Sequence, residues 1–120
     1  NSLVINHVLV AAEALNMGIA SGLDPKQIID VVLPSVATST QFELRGPLMA
    51  ERKWDPPTAP ARLVLKDTHY IVDPARALGV PAPVSTITRD YYDKVAEMGL
   101  LDKELAIIFE ALEADNEVTD

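Results

Sequence analysis

LVINHVLVAAEALNMGIASGLDPKQ, residues 3–27, contains the strongest structural pattern in the chain. In its first part, side chains that are mostly apolar recur every three or four residues, which is the spacing of one face of an α-helix. They are Val4, His7, Val8, Ala11, Ala12, Leu15 and Ile19. The pattern predicts a helix from Leu3 to Ser21.

Three residues mark the junction that follows this helix. Gly22 suits the left-handed position at which many helices end. Asp24 is a favoured cap for a new helix, and Pro25 is a favoured first helical residue. We therefore predict a second helix over Pro25–Leu33, which Pro34 ends.

The first helix also has apolar residues on its other faces, namely Leu3, Ile5, Leu9 and Val10. A helix that is apolar nearly all round is buried on most sides. In a chain of 120 residues, we expect a second subunit or another domain to cover it. No apolar run approaches the roughly 20 residues of a membrane span, so we expect no membrane partner.

The pattern is weaker between residues 35 and 60. Four apolar residues predict a short helix there, interrupted at Gly46-Pro47 because proline removes a backbone donor. They are Phe42, Leu44, Leu48 and Met49. The stretch Trp54–Pro60 contains three prolines in five residues and is predicted to be a loop.

Three more helices are predicted in the second half of the chain. They begin near Ala61, extend over Val84–Met98 and extend over Lys103–Leu112. Pro74 must kink the first of these or restart it with Asp73 as cap, and Asp102 is expected to cap the last. We expect the acidic tail, Glu113–Asp120, to be frayed. Because no alternation with a period of two appears, the sequence predicts a single all-α domain over residues 1–120, with about six helices.

Composition excludes several classes of protein. The chain is 48% hydrophobic and 23% charged, which is unlike a disordered chain. Its 18 acidic and 10 basic residues give a net charge of −8, which argues against a nucleic acid partner. The absence of cysteine excludes disulfides, thiolate zinc sites and cysteine nucleophiles, and fits a cytoplasmic protein. The five glycines form no G-x-G-x-x-G or Walker loop.

Candidate catalytic residues are few. His7 and His69 lie on different predicted helices with no nearby carboxylate at metal-ligand spacing, so we expect no metal site. Lys66 lies in an apolar stretch and is followed by Asp67. Taken alone, this pair reads as a surface lysine beside a surface acid. The residues by themselves leave the function open.

Five segments, however, resemble one family in the correct order. They are residues 1–15 (NSLVINHVLVAAEAL), 18–26 (GIASGLDPK), 39–49 (STQFELRGPLM), 65–67 (LKD) and 79–83 (GVPAP). Together they are similar to the C-terminal domain of the β-hydroxyacid dehydrogenases. This family includes 3-hydroxyisobutyrate dehydrogenase and tartronate semialdehyde reductase, and is related to 6-phosphogluconate dehydrogenase. The resemblance implies a helical bundle of the 6-phosphogluconate dehydrogenase type.

The resemblance also implies a function and a set of site residues. Such enzymes transfer hydride between NAD or NADP and a small 2- or 3-hydroxyacid. Asn1 resembles the second asparagine of the family's K-x-x-N-N motif, which orients the substrate; the general acid/base lysine is expected four residues upstream, outside this chain. Lys66 matches the lysine that reaches the nicotinamide end of the cofactor, and Asp67 would fix that lysine. The N-terminal Rossmann domain, which holds most of the cofactor, is expected to be absent from this chain.

Further expectations follow from the same resemblance. The helical domains of the family pair as dimers, so we expect a homodimer and an isolated chain without activity. Ala59 and Thr68 replace an aromatic residue and a leucine that the family usually has, which leaves the substrate pocket and the hydroxyacid open. Ser39 and Thr40 either face the substrate or, as short polar residues before a helix favour, cap it. The alternative to an enzyme is an acidic helical module that binds a partner or dimerises without catalysis.

Overall fold

A computed structural model describes residues 1–117. It contains six α-helices: α1 (Ser2–Ala20), α2 (Pro25–Val32), α3 (Thr40–Glu51), α4 (Ala61–Ala77), α5 (Pro83–Glu97) and α6 (Ile108–Glu113). A 3-10 turn, Leu105–Ile107, precedes α6. Residues 1–117 form no β-strand, and the predicted all-α bundle is confirmed.

The helix junctions form where their residue types predict them. Gly22 adopts the left-handed conformation with φ of 95°, directly after α1. The Asp24 side chain accepts a hydrogen bond from the Lys26 amide at 2.9 Å and caps α2. The Ser39 hydroxyl accepts from the Phe42 amide at 3.0 Å, so Ser39 caps α3. These junctions depend on contacts within three residues, which explains why the sequence predicts them well.

Helix α1 lies at the centre of the bundle and packs against α3, α5 and α6. Its buried side chains form the core together with residues from every other helix. The buried residues of α1 are Ile5, Val8, Leu9, Ala11, Ala12 and Leu15. Because these six residues span three turns of one face, α1 fixes the positions of the helices around it.

The expectation that no apolar run approaches the length of a membrane span is wrong for α1. Its 19 residues have a mean hydropathy of 1.6 and could cross a membrane by length and composition alone. The central helix of a helical bundle meets the same two criteria, because its core-facing side chains are also apolar. The buried face accounts for part of the apolar composition of α1, while Leu3, Val10 and Met17 are exposed.

Neither Pro47 nor Pro74 ends a helix, so the interruption predicted at Gly46-Pro47 and the alternative of a restart at Pro74 are both wrong. Helix α3 continues through Pro47, and α4 continues through Pro74 to Ala77 without a restart at Asp73. Proline removes one backbone hydrogen bond and crowds the carbonyl four residues earlier. In α3, burial of Phe42 and Met49 on either side of the proline offsets this cost. In α4, Pro74 lies in the last turn, where few helical hydrogen bonds remain to be lost.

The predicted sixth helix is shorter than expected because Glu104 is held by another part of the chain. Its side chain is 1% exposed, and it accepts hydrogen bonds from the Thr58 amide at 2.6 Å and from the Thr58 hydroxyl at 2.8 Å. The Glu104 backbone is extended, with ψ of 138°. Helix α6 therefore begins at Ile108 rather than Lys103, and Asp102 does not cap it.

The tail after α6 is attached to the bundle as far as the structure describes it. The side-chain amides of Asn16 and Asn116 exchange two hydrogen bonds of 2.8 Å. Lys94 forms an ion pair with Asp115, which lowers the pKa of that carboxyl group. Fraying from Glu113 onward is therefore wrong up to Asn116, and residues 118–120 lie outside the described part of the chain.

The buried phenol of Tyr92 is expected to make the domain sensitive to high pH. Burial raises the pKa of Tyr92 well above its usual range, and its hydroxyl donates to the Leu105 carbonyl at 2.8 Å. A raised folded pKa stabilises the fold below about pH 10, and this contribution is lost as the pH rises further, by up to about 1.4 kcal/mol per pH unit.

The measurement is the free energy of unfolding between pH 8 and 11.5 (a range chosen around the usual pKa of tyrosine, about 10). We expect Tyr92→Phe to flatten the decline at high pH. Tyr70→Phe, which changes an exposed tyrosine, is expected to leave the decline as in the unmodified chain. An equal slope for both variants would contradict the assignment to Tyr92.

Candidate functional site

Helix α4 presents Lys66 and Tyr70 on the side that faces away from the core. Its core side is formed by Ala61, Val64, Thr68 and Val72. The Lys66 ammonium lies 5.8 Å from the centre of the Tyr70 ring, which is a cation–π distance. The ring therefore restricts the exposed lysine, which otherwise has a long and mobile side chain.

The first turn of α4 is fixed from outside the helix. The amides of Ala61 and Arg62 donate to the carbonyls of Lys103 and Leu101, at 2.9 and 3.0 Å. Lys66 lies one turn further along the same helix. The segment before α6 therefore determines where the Lys66 face of α4 is placed.

Asp67 is half-buried and follows Lys66 directly. Within residues 1–117 no hydrogen bond or ion pair joins it to Lys66, whose neighbour is the Tyr70 ring. The role of Asp67 in fixing the lysine stays a prediction.

Asn1 precedes α1 and its side chain is exposed. The side chain makes no capping hydrogen bond, while the Asn1 carbonyl accepts from the Ile5 amide at 3.0 Å. In the part of the chain that the structure describes, no direct hydrogen bond or ion pair connects Asn1 with Lys66 or Asp67. The three predicted site residues thus lie on two elements, the start of α1 and the outer side of α4.

A buried polar group that the sequence analysis missed fixes the start of α1 against α5. The Asn6 amide nitrogen donates to the Ser85 hydroxyl at 3.0 Å, and the Thr88 hydroxyl donates to the Asn6 carbonyl oxygen at 2.7 Å. Ser85 and Thr88 are both buried. In the sequence, the signal for this polar group was the presence of Asn6, a polar residue, in a strongly apolar helix. This group orients the helical turn that carries Asn1.

Thr68 and Ala59, the two residues that depart from the family pattern, have different surroundings. Thr68 is fully buried, and its hydroxyl donates to the Leu65 carbonyl at 2.6 Å. Thr68 therefore packs in the core of the helical domain. Ala59 is half-buried in the loop before α4, where its carbonyl accepts from the Leu105 amide at 2.9 Å.

The expectation that neither histidine has a nearby carboxylate at metal-ligand spacing is wrong for His69, since Asp73 follows it by one helical turn. Its Nδ1 is 4.0 Å from an Asp73 oxygen and its Nε2 is 3.9 Å from an Asp93 oxygen. These contacts become ion pairs when the imidazole is protonated. The contact with Asp73 lies within α4, and the contact with Asp93 connects α4 with α5. Across residues 1–117, no three His, Asp or Glu side chains are grouped so that they could hold a metal ion.

The residues of this chain could contact one end of a dinucleotide but could not hold the whole molecule. A dinucleotide's pyrophosphate needs a glycine-rich turn at a helix N-terminus, and the sequence has no such motif. The outer side of α4 offers one ammonium group and one aromatic ring. An exposed cation of this kind suits a polar or anionic group at the edge of a cofactor that is held elsewhere.

Two grooves lie along α1 and α2. One, of about 410 Å³, is lined by His7, Val10, Ala14, Ile28, Val32 and Phe42 among others. A second, of about 520 Å³, lies beside Leu23 and Val31. Neither is lined by Asn1, Lys66 or Asp67. The grooves are mostly apolar, and the three predicted site residues lie elsewhere on the surface.

Comparison with known proteins gives a consistent match over nearly the whole chain. A protein-family model described as NAD-binding of NADP-dependent 3-hydroxyisobutyrate dehydrogenase matches residues 1–112. L-threonate dehydrogenase of Cupriavidus necator is 30% identical over 93 residues, which cover 78% of this chain and 31% of that protein. The chloroplastic glyoxylate/succinic semialdehyde reductase 2 of Arabidopsis thaliana is 26% identical over 118 residues, covering 93% of this chain and 32% of the reductase. The chain thus spans about a third of the length of these relatives.

Solved structures show the same fold. A 3-hydroxyisobutyrate dehydrogenase from Salmonella typhimurium superposes with a TM-score of 0.87 at 22% identity, over 91% of this chain and 38% of that one. The Mycobacterium tuberculosis 3-hydroxyisobutyrate dehydrogenase gives a TM-score of 0.81 at 21% identity, over 93% of this chain and 40% of that one. At these identities the likeness establishes the helical fold.

Proposed function

Because the chain belongs to the 3-hydroxyisobutyrate dehydrogenase family, which its residues 1–112 match, we propose that it is the substrate-side helical domain of an NAD(P)-dependent oxidoreductase. The proposed reaction transfers hydride between the nicotinamide ring and the carbinol carbon of a small 2- or 3-hydroxyacid. The family match carries the proposal. The exposed position of Lys66 and Asn1 on the surface of the bundle is compatible with it.

The cofactor, when bound, supplies the hydride acceptor or donor. The residues of this chain would bind and orient the cofactor and the substrate. Lys66 would donate hydrogen bonds to the nicotinamide end of the cofactor, with its direction restricted by Tyr70. Asn1 would hold the substrate, since its amide can both donate and accept hydrogen bonds. Precise positioning of the two reactants is the main requirement of such a transfer.

The names of the relatives support the substrate class. They include a dehydrogenase for L-threonate and a reductase for glyoxylate and succinic semialdehyde. Each of these molecules is a short carboxylic acid that carries a hydroxyl group or an aldehyde. We therefore propose a substrate with one carboxylate and one oxidisable hydroxyl group close to it.

The role of Lys66 can be tested in a polypeptide that joins this chain to a dinucleotide-binding domain. Lys66→Ala is expected to raise the KM for NAD(P) about tenfold or more, because a hydrogen bond from a charged donor contributes about 1.5–3 kcal/mol. Lys53→Ala removes an exposed lysine outside the proposed site and serves as the matched control. Unchanged cofactor KM and kcat in Lys66→Ala would refute the assignment.

The 120-residue chain alone is expected to show no turnover of hydroxyacids with NAD or NADP, since it has no glycine-rich turn for the pyrophosphate. The measurement is absorbance of the reduced nicotinamide over hours at high enzyme concentration. Sustained turnover by the chain alone would contradict the proposal that a separate dinucleotide-binding domain is needed for the reaction.

We also propose that the helical domain forms a homodimer. The support is the part of α1's apolar surface that the other helices leave uncovered. Leu3, Val10 and Met17 are exposed there. Isolated exposed apolar residues are common, but a continuous row on one helix favours a protein partner.

A further inference from the structure

Helix α5 connects the two elements that carry the proposed site residues. It packs against α1, which begins next to Asn1, and against α4, which carries Lys66. The direct contact between α1 and α4 is smaller than either of these. The distance between Asn1 and Lys66 therefore depends largely on how each of the two helices is fixed to α5.

Helix α1 is fixed to α5 by the side chain of Asn6. Its amide nitrogen donates to the Ser85 hydroxyl at 3.0 Å, and its oxygen accepts from the Thr88 hydroxyl at 2.7 Å. Ser85 and Thr88 are three residues apart on α5, so their side chains lie on the same face of that helix. Both are buried. We call these three residues the Asn6 clamp, because one helix face holds both ends of one amide.

The Asn6 clamp specifies how α1 is rotated and placed along α5. The core-facing residues around Asn6 are aliphatic, namely Ile5, Val8 and Leu9, and aliphatic contacts have little directionality. A rotation of α1 by one residue, or a slide by one turn of about 5.4 Å, would break both hydrogen bonds of the amide at once. An amide left without partners away from water is costly. A single asparagine in the core of a coiled coil fixes the helix register for the same reason.

Asn1 is close enough to the Asn6 clamp to follow its movements. It lies five residues before Asn6, about 7.5 Å along the helix axis at 1.5 Å per residue. The Asn1 carbonyl accepts from the Ile5 amide at 3.0 Å, which ties Asn1 to the first turn of α1. Its side chain makes no capping hydrogen bond. A rotation or slide of α1 is therefore transmitted to the Asn1 side chain.

Lys66 is held in place by contacts that do not involve the Asn6 clamp. His69, three residues further along α4, has its Nε2 at 3.9 Å from an oxygen of Asp93 on α5. The first two amides of α4 donate to carbonyls of the segment that precedes α6. Loss of the clamp should thus move Asn1 while α4 keeps its position.

We propose that Asn6 is a positioning residue. The Asn6 clamp sets the place of Asn1, and hence of the substrate, relative to the cofactor end at Lys66. The inference rests on the proposed function, because it takes from it the roles of Asn1 and Lys66. Such a remote group matters for the rate, since a misplacement of about 1 Å at the reacting centre can cost about 100-fold.

Kinetics of a polypeptide that joins this chain to a dinucleotide-binding domain test the proposal. Asn6→Leu removes both hydrogen bonds at similar side-chain size. It is expected to lower kcat/KM for the hydroxyacid about tenfold or more, while the KM for NAD(P) stays unchanged because α4 keeps its position. A general loosening of the fold would raise both KM values or lower only the fraction of active enzyme. Unchanged kinetics, or an equal rise in both KM values, would overturn the proposal.

A second set of variants keeps the packing nearly constant and decides the matter if Asn6→Leu does not fold. Thr88→Val removes the hydroxyl that donates to Asn6 and is expected to give the same kinetic pattern with a smaller loss. Thr88→Ser keeps the hydroxyl and is expected to restore activity. Thr86→Val is the matched control, because the Thr86 hydroxyl donates to the Ala82 carbonyl of its own helix, at 2.7 Å. Equal losses in Thr88→Val and Thr86→Val would contradict the proposal.

A distance measurement tests the positioning without any activity. The chain contains no cysteine, so Ser2→Cys on α1 and Leu63→Cys on α4 can carry a pair of spin labels; both positions are exposed. Asn6→Leu is expected to shift or broaden the distance distribution measured by pulsed electron paramagnetic resonance, whereas Thr86→Val leaves it as in the parent pair. An unchanged distribution in Asn6→Leu would overturn the proposal, whatever the activity.

The outcomes separate this inference from the proposed function. Hydroxyacid turnover that depends on Asn1 but not on Asn6 would overturn the inference alone. An Asn1→Ala variant with unchanged kcat and hydroxyacid KM would remove the role of Asn1 and the inference with it. A longer polypeptide that turns over no hydroxyacid would overturn the proposed function and, with it, the catalytic part of the inference, while the distance measurement still shows whether Asn6 fixes α1.

Discussion

Glu104→Ala is expected to lower the free energy of unfolding by about 3–5 kcal/mol, because it leaves buried partners without their acceptor. One Glu104 oxygen accepts from the Thr58 amide and hydroxyl, and Ala59 N lies 3.4 Å from the same oxygen. The other oxygen is 3.3 Å from Arg45 Nε, although the two are not aligned for a hydrogen bond. Removal of the carboxylate leaves the Arg45 guanidinium without its counter-ion, although the Arg45 side chain is only 13% exposed.

Two further variants make this test specific. Glu104→Gln keeps the size and one acceptor but removes the charge that faces Arg45, so we expect an intermediate loss. Glu97→Ala removes an exposed acid on α5 and is expected to change stability by less than about 0.5 kcal/mol. The measurement is urea unfolding followed by circular dichroism. A loss below about 1 kcal/mol in Glu104→Ala, less than one buried unsatisfied group usually costs, would show that Glu104 is dispensable.

The same substitution bears on the proposed site through α4. Glu104 holds the loop that leads into α4. The carbonyls of Leu101 and Lys103, just before Glu104 in the chain, accept hydrogen bonds from the first amides of that helix. Loss of Glu104 should therefore loosen the helix that carries Lys66. In a longer active polypeptide, Glu104→Gln is expected to raise the cofactor KM while the pH profile stays unchanged.

Leu15→Ala is expected to cost about 3–5 kcal/mol of unfolding free energy, the range for a large-to-small change in a well-packed core. Leu15 is fully buried in the centre of α1, the helix around which the bundle is built. The result also tests the interpretation of α1 as a core helix, because a helix whose side chains faced lipid would lose far less packing from this change.

Leu44→Ala is the matched control for Leu15→Ala. Leu44 lies on α3, is 51% exposed, and does not line the 410 Å³ groove beside α1. We expect it to cost less than about 0.5 kcal/mol. Equal destabilisation by the two variants in thermal and urea unfolding would contradict the described core.

Local patterns explain why the helices were predicted well. The periodicity of α1, the left-handed Gly22 and the caps at Asp24 and Ser39 each depend on residues within a few positions of one another. The family motifs are short for the same reason. Lys66 on the outer side of α4 also follows from the helical period, once Val64 and Thr68 are known to be buried.

The errors arise where distant residues act on a segment. Pro47 was expected to interrupt a helix, yet burial of Phe42 and Met49 keeps α3 continuous. Glu104 was read as part of a helix, yet its carboxylate is bound to a loop 46 residues earlier. Asn6 attracted no attention, although its partners on α5 are 79 and 82 residues away. No local window contains these pairs.

Helix content and the junctions at Gly22, Asp24 and Ser39 were thus inherent in the order of the amino acids, because short-range sterics and hydrogen bonds specify them. Family membership followed from short motifs in the same sequence. The three-dimensional packing alone determined which polar groups are buried together, where α6 begins, and which side of α1 is left without neighbours. Those features depend on contacts between residues far apart in the chain, and their energies exist only once the helices have come together.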